Sequence, residues 1–263
     1  MASPDGPSGW GTMAPPQLLR DAVDFEQYVY GTIGAMELAS RLGHSSVSLV
    51  EVGVAGGNGL VELERLGSLV GREYGVTANV VGFDLGSGMP APVDYRDSPY
   101  AWQEGFFTMD QELLRGRLSS AELLLGDVRE TGRSFIDRDP PPMGFISFDV
   151  DYYSSSVAAI ESLLEDGSFR RYLPRVLCYF DDTVGPHAEM HSSYSGELLA
   201  ISEFNDRHVT RKIAPIHGLR HKVGQCDGPW VDGMFALHIF DHPNYCDYVY
   251  PDRDRQFPLK EGS

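Results

Sequence analysis

The sequence predicts an α/β fold built on a doubly wound, mostly parallel sheet, and three observations carry that prediction. Short apolar runs alternate with amphipathic stretches along most of the chain, as parallel strands joined by helical crossovers do. One such run, Val47 to Val54, breaks into a turn holding Gly53, Gly56, Gly57 and Gly59, after which Leu60, Leu63, Leu66 and Val70 recur at helical spacing. Later runs end in or just before aspartate: Asp84, Asp127, the Asp149/Asp151 pair and the Asp181/Asp182 pair.

In chain order, residues 1–16 are rich in Gly, Pro and Ser and read as a flexible segment; residues 17–263 read as a single domain. A helical cap over 17–44 opens the domain. Leu18, Leu19, Ala22, Phe25, Tyr28 and Val29 keep helical spacing, and a second run, Ile33 to Leu42, stops at Gly43. Phe25, Tyr28 and Tyr30 either cover a ligand pocket or pack in the core. The glycine turn follows the first strand. Its glycines permit unusual dihedrals and close approach of a ligand, and the helix start beyond it offers free N–H groups and a partial positive charge.

The run Ala78 to Phe83 is a second strand ending in Asp84, at the edge where doubly wound sheets bind ligands. Asp84 either accepts both hydroxyls of a ribose or caps its own turn. Residues 91–110 lack periodicity but hold Tyr95, Tyr100, Trp102, Phe106 and Phe107, which suits a lid, a substrate wall or a packed flap. A helix over 110–118 leads to a third strand, Leu123 to Leu125, and then to Asp127. That residue either accepts from the amine of an adenine or caps the next helix. A fourth strand from Gly144 ends at Asp149, with Asp151 two residues on. Ser154 to Ser156 then start a helix whose apolar positions are Val157, Ile160, Leu163 and Leu164. A fifth strand, Arg175 to Phe180, ends in Asp181-Asp182. After a loop carrying His187, Glu189 and His191, a helix covers 196–205, strands cover 211–216 and 234–240, and residues 244–263 form an irregular tail.

Two consecutive strand ends thus deliver four carboxylates to one edge. Left alone they repel, and a hard divalent cation with oxygen ligands, Mg²⁺, Ca²⁺ or Mn²⁺, resolves the repulsion; the alternative is that each pair caps the helix after it. His187 and His191 are candidate general bases because imidazole titrates near neutrality.

The chain has 263 residues, 42% of them hydrophobic, and 21 basic against 38 acidic residues for a net charge of −17. That balance argues against nucleic acid and against an anionic membrane surface, since both recruit cations, and it suits a small neutral or cationic partner. Cys178, Cys226 and Cys246 show no metal-ligand spacing and are expected as free thiols. No leader peptide or membrane-length apolar run is visible, so a cytoplasmic location is expected. Self-association into a homo-oligomer stays open.

Taken together, the motifs resemble those of class I S-adenosylmethionine-dependent methyltransferases, and within them the macrocin O-methyltransferase family. They are Glu51-x-Gly53-x-Ala55-x-Gly57-x-Gly59, then Gly82-Phe83-Asp84 with Pro90, Gly126-Asp127, Asp149-x-Asp151-x-Tyr153, Asp181-Asp182, and Gly196-Glu197 through Phe204. The resemblance covers roughly residues 45–240. It implies a Rossmann-like sheet with a final antiparallel strand. It also implies S-adenosylmethionine bound by Glu51, Gly53, Ala55, Gly57, Asp84, Asp127 and Asp149, and Mg²⁺ on Asp149, Asp181 and Asp182. The implied reaction is methyl transfer to a hydroxyl of a sugar or polyol-like specialised metabolite, with Asp149, His187 or His191 close to the chemistry. Two alternatives stand beside it. A nicotinamide-dependent oxidoreductase shares the fold and Asp84, although the turn departs from Gly-x-Gly-x-x-Gly. A non-catalytic module would keep the cofactor pocket alone.

Overall fold

The computed structural model describes residues 25–221 and 228–250. The expected flexible segment 1–16, the helical positions Leu18, Leu19 and Ala22, Cys226, and the tail beyond residue 250 lie outside the described residues. The elements follow the expected alternation: α1 (Glu26–Arg41), β1 (Ser46–Val52), α2 (Asn58–Tyr74), β2 (Thr77–Asp84), α3 (Gln111–Arg117), β3 (Glu122–Leu125), α4 (Val128–Asp137), β4 (Met143–Phe148), α5 (Tyr153–Leu164), β5 (Tyr172–Phe180), α6 (Gly196–Arg207), β6 (Arg211–Pro215) and β7 (Met234–Ile239).

The seven strands form one sheet in the order β3-β2-β1-β4-β5-β7-β6. The first five run parallel, and β7 is reversed between β5 and β6. This is the doubly wound, Rossmann-like sheet with an antiparallel strand near its end. A dinucleotide-binding sheet of the 3-2-1-4-5-6 order carries no reversed strand at that place.

Alternate residues of each strand serve opposite faces. On β1, Val47 and Leu49 join a core layer with α1 and α2, while Val50 and Val52 join a second layer with α4, α5 and α6. Two departures from the sequence reading concern packing. The two helical runs meeting near residue 30 form one continuous helix over 26–41, passing through Gly31 and Gly34. A Cβ at Gly31 would lie 2.3 Å from the Phe145 ring, and one at Gly34 would lie 2.4 Å from Leu177. The glycines admit side chains of β4 and β5 rather than ending the helix. Likewise β5 starts at Tyr172, because Pro174 sits within the strand as a residue that accepts but does not donate.

Candidate active site

The parallel strands β1 to β5 all leave the sheet at the same edge, and their exits are tied together. Gly53 N–H donates to Phe83 O, Gly126 N–H to Asp84 O, and Asp149 N–H to Val52 O, each at 2.9 Å. Above this edge lies a cleft of about 380 Å³, within the range of small-molecule sites, about 300–1,000 Å³. Gly53, Ala55, Asp84, Asp127, Asp149 and Asp151 line it, with Leu85, Met89, Val93 and Phe107 on one wall.

The turn under the cleft is tightly specified. Gly53 has φ +87°, and a Cβ there would stand 1.7 Å from the carbonyl oxygen of Asp149. Only glycine fits, and the backbone of the first strand exit therefore touches that of the fourth. Ala55 adopts φ +46°, a left-handed conformation costly for a residue with a side chain. The carboxylate of Asp84 holds it there: Oδ2 accepts from Val54 N and Ala55 N, both at 2.9 Å, and Oδ1 accepts from Gly86 N at 2.5 Å. Three of roughly four acceptor positions of that carboxylate are thus used by the protein. Asp127 caps α4 through Arg129 N and pairs with the Arg129 guanidinium at 2.9 Å. Both residues serve the capping roles read as alternatives in the sequence while still facing the cleft.

Glu51 and Gly57 do not line the cleft. Gly57 is the left-handed residue before α2 and packs against Leu114. Glu51 is buried beneath the turn, where Tyr28 Oη donates to Oε1 at 2.6 Å and Oε2 has no partner. Burial raises its pKa well above the carboxylate range, against the lowering effect of the Tyr28 bond. Tyr28 therefore packs in the core against Phe145, and Tyr30 packs against Trp230; neither covers the cleft.

The other end of the edge is built from β4, β5 and α6. Asp149 keeps surface open to the cleft while protein encloses its other sides. That enclosure, with the charges of Asp181, Asp182 and Asp84, pushes its carboxyl well above the usual range. Asp151, in left-handed conformation at φ +57°, donates its N–H to Asp182 Oδ2 at 2.9 Å. Burial and the charges of Asp149 and Asp181 push its carboxyl up to about 7. Burial, then Asp151 and Asp181, likewise raise Asp182. Asp181 accepts from the Tyr179 hydroxyl at 2.6 Å.

A fifth acid joins them that the residue-by-residue reading passed over. Glu197 is fully buried; its Oε2 accepts from Asp182 N at 3.1 Å and its Oε1 has no partner. Burial, then the charges of Asp182, Asp149, Asp181 and Asp151, raise its pKa well above the ordinary value. A sequence signal existed: Glu197 falls in the same helical stripe as Ala200, Ile201 and Phe204, all buried on α6. An acid in an apolar stripe is an acid aimed inward. The donor set is all carboxylate oxygen, the chemistry of a hard divalent cation. Among the described residues, however, no three His, Cys, Asp or Glu side chains converge on one point in ligand geometry.

Of the two histidines, His187 is exposed. His191 Nε2 is 2.9 Å from Glu189 Oε2, with both side chains mostly covered. The loop holding them is reached by the aromatic segment, because Tyr100 Oη donates to Glu189 O at 2.8 Å. That segment is pinned to α5 as well: the buried carboxylate of Asp97 accepts from Ser154 N and Ser154 Oγ at 2.8 and 2.9 Å. Residues 91–110 form a strap beside the cleft, which Val93 and Phe107 line, and the bonds at Asp97 and Tyr100 hold it near its middle. Cys178 and Cys246 are free thiols, and no helix among the described residues is long and apolar enough to cross a membrane.

No protein-family model and no curated protein matches the chain. Among solved structures, that of CalS11, a calicheamicin methyltransferase, is similar to it with a TM-score of 0.54 and 17% identity over 90% of this chain and 99% of that one. At this identity the likeness is one of fold. An apo structure of CalS11 as a TDP-rhamnose 3′-O-methyltransferase gives 0.46 and 16% over 87% of each chain. The O-methyltransferase TomG from Streptomyces achromogenes, in complex with SAM, gives 0.42 and 13% over 86% of this chain and 87% of that one.

Proposed function

We propose that the chain is an S-adenosylmethionine-dependent O-methyltransferase acting on a hydroxyl of a small molecule, and that residues 17–263 form one methyltransferase domain. The observation that carries this reading is the cleft over the parallel strand exits, floored by the Gly53–Ala55 turn and walled by Asp84, Asp127 and Asp149. The fold shared with a methyltransferase, CalS11, supports it. So does the reversed β7, which sets the sheet apart from the dinucleotide order.

On this reading the cofactor lies along the turn. Gly53 and Ala55 offer close backbone approach, the remaining acceptor position of Asp84 serves a ribose hydroxyl, and Asp127 faces the adenine. Glu51 and Gly57 act from beneath, by holding the turn. Bound S-adenosylmethionine supplies an electrophilic methyl group to the acceptor oxygen. Asp149, Asp181 and Asp182 would hold a divalent cation, Mg²⁺ above all, with their oxygen-only donor set. Such an ion would supply Lewis acidity toward the acceptor hydroxyl.

The protein's own part is positioning and proton removal. Tyr100 and Asp97 hold the strap that forms one wall of the cleft. His191 is the base favoured over His187: with Nε2–H donating to Glu189, Nδ1 is left to take the acceptor's proton. The acceptor is read as a sugar or polyol-like specialised metabolite.

The test is a thermal-shift titration with S-adenosylmethionine, NAD and Mg²⁺. Ligand at about 100 Kd adds about 2.7 kcal/mol, a rise on the order of 5–10 °C for a chain of this size. A saturable rise with S-adenosylmethionine is expected. A rise with NAD alone would move the chain to the oxidoreductases. In turnover assays, His191→Ala is expected to lower kcat about 100-fold or more, and His187→Ala to leave it within about threefold.

A further inference from the structure

One acid of the strap is unlike its neighbours. Asp97 is fully buried, although Tyr95 two residues before it is 75% exposed. It lies outside the lining of the cleft. Its carboxylate is filled from two directions. Oδ2 accepts from Val93 N at 2.7 Å, within the strap, and Oδ1 accepts from Ser154 N at 2.8 Å, at the start of α5. The Ser154 hydroxyl adds a bond to Oδ2 at 2.9 Å. Val93 and Ser154 both line the cleft, one from the strap and one from α5. A single buried carboxylate therefore fixes the spacing of two walls.

The start of α5 is otherwise uncapped. Tyr152, the residue before its first turn, makes no side-chain capping bond, and the first turn holds no acid. Helix starts leave N–H groups without partners and favour a negative charge. Asp97 supplies both an acceptor and an acid from 57 residues earlier in the chain.

The strap is shaped to deliver it. Ser98, the next residue, is buried and adopts φ +49°, a strained conformation that persists where the surroundings over-determine it. On the other side, Arg96 donates to Tyr153 Oη at 3.1 Å, and Tyr153 donates to Glu203 Oε2 at 2.6 Å. The loop is closed at its base, where Gly105 N donates to Met89 O at 2.9 Å and Met89 N to Phe106 O at 2.8 Å.

We propose that Asp97 is a positioning residue for the cofactor. By capping α5 and holding the Val93 amide with the same carboxylate, it sets the width of the cleft and with it the affinity for S-adenosylmethionine. Walls set before a ligand arrives spare the cost of ordering them on binding. Asp97 acts through Val93 and Ser154 rather than by touching the ligand. The proposal rests on the methyltransferase reading, because that reading decides what the cleft holds.

The experiment is calorimetric titration of the full-length protein with S-adenosylhomocysteine, well below the melting temperature of every variant used. Asp97→Asn is nearly isosteric but has one acceptor oxygen, so the N–H of Val93 or of Ser154 loses its partner. It should weaken binding about tenfold or more at unchanged stoichiometry, with the change in the dissociation rate. Ser154→Ala removes the hydroxyl bond, keeps both backbone bonds, and should weaken binding about threefold. The two changes should not add, because they break one connection. A residue that only supports the fold behaves differently. Glu64 accepts from Ser119 N and Ala121 N at 3.0 and 2.7 Å, outside the lining of the cleft. Glu64→Ala should lower the melting temperature and leave the affinity within about twofold.

An affinity of Asp97→Asn equal to that of the unaltered protein, or fewer binding sites at unchanged affinity, overturns the proposal. If Asp97→Asn does not fold, an unchanged affinity of Ser154→Ala overturns it instead. Failure of the unaltered protein to bind S-adenosylhomocysteine overturns the methyltransferase reading beneath it.

Discussion

The two ends of the strand edge hold carboxylates under opposite conditions. At the glycine-turn end, the acids that line the cleft have donors: Asp84 takes three backbone N–H groups and Asp127 takes a helix N–H and a guanidinium, while Glu51 beneath them keeps one free oxygen. At the aspartate end, acids face acids, a buried carboxylate oxygen lacks a donor, and Asp149, Asp151, Asp182 and Glu197 all have raised pKa values. The lining acids of the first end are mostly satisfied by the protein, and the turn is shaped by sterics. The second is held in an electrostatically costly state that a counter-charge would relieve. Similar residues, aspartates after strands, come out differently according to what the neighbouring strand exits bring.

The strongest way to break the comparison is to disturb the finished end. Gly53→Val places a side chain where Asp149 O already sits, in a left-handed conformation. It should destabilise the protein by about 3 kcal/mol or more in urea unfolding and abolish cofactor binding. If binding survives, the turn is not the floor of the cofactor site.

The aspartate end is exposed by pH. Its carboxyls are raised in the folded state, so the native protein keeps protons that the unfolded chain releases. Its stability is therefore greatest in mildly acidic solution and is lost as pH rises through the folded values, near 7 for Asp151. Without divalent ions, calorimetric melting should show the protein less stable at pH 8 than at pH 5.5 by on the order of 2 kcal/mol. Saturating Mg²⁺ should flatten that slope. A melting temperature that climbs from pH 5.5 to 8 contradicts the assignment.

Tyr28→Phe tests the layer under the turn. It removes the donor to Glu51 and should cost about 1–2 kcal/mol of stability, with a weaker cofactor affinity because Glu51 supports the turn. The smallest effect runs the other way. Glu197→Gln keeps an acceptor for Asp182 N–H and removes one titratable carboxyl from the cluster, so the metal-free protein should lose less stability between pH 5.5 and 8, by about 1 kcal/mol, while any stabilisation by Mg²⁺ diminishes. An unchanged pH dependence in this variant would mean that Glu197 does not titrate with the cluster.

Much of this was legible before any coordinates. The strand–turn–helix run around Gly53 and the aspartates at strand exits follow from local periodicity. Apolar spacing of two or about three and a half residues states which way a side chain points on its own element, and it also carried the inward direction of Glu197. Other features were beyond such reasoning. Whether Gly31 and Gly34 end a helix or admit Phe145 and Leu177 depends on what packs against them. That Glu51 lies under the turn, tied to Tyr28 from α1, depends on where the first helix docks.

The sequence by itself therefore determined the α/β class, the order of elements, and the fact that acids gather at one edge of a parallel sheet. Only the tertiary structure decided which acids are partnered and which confront one another. The adjacency of β4 and β5 brings Asp149 to Asp181 and Asp182, and α6 returns Glu197 to them from farther along the chain. The physical reason is range. Local spacing is encoded residue by residue, whereas the electrostatic state of a carboxyl depends on all the charges and donors near it, whatever their distance in sequence.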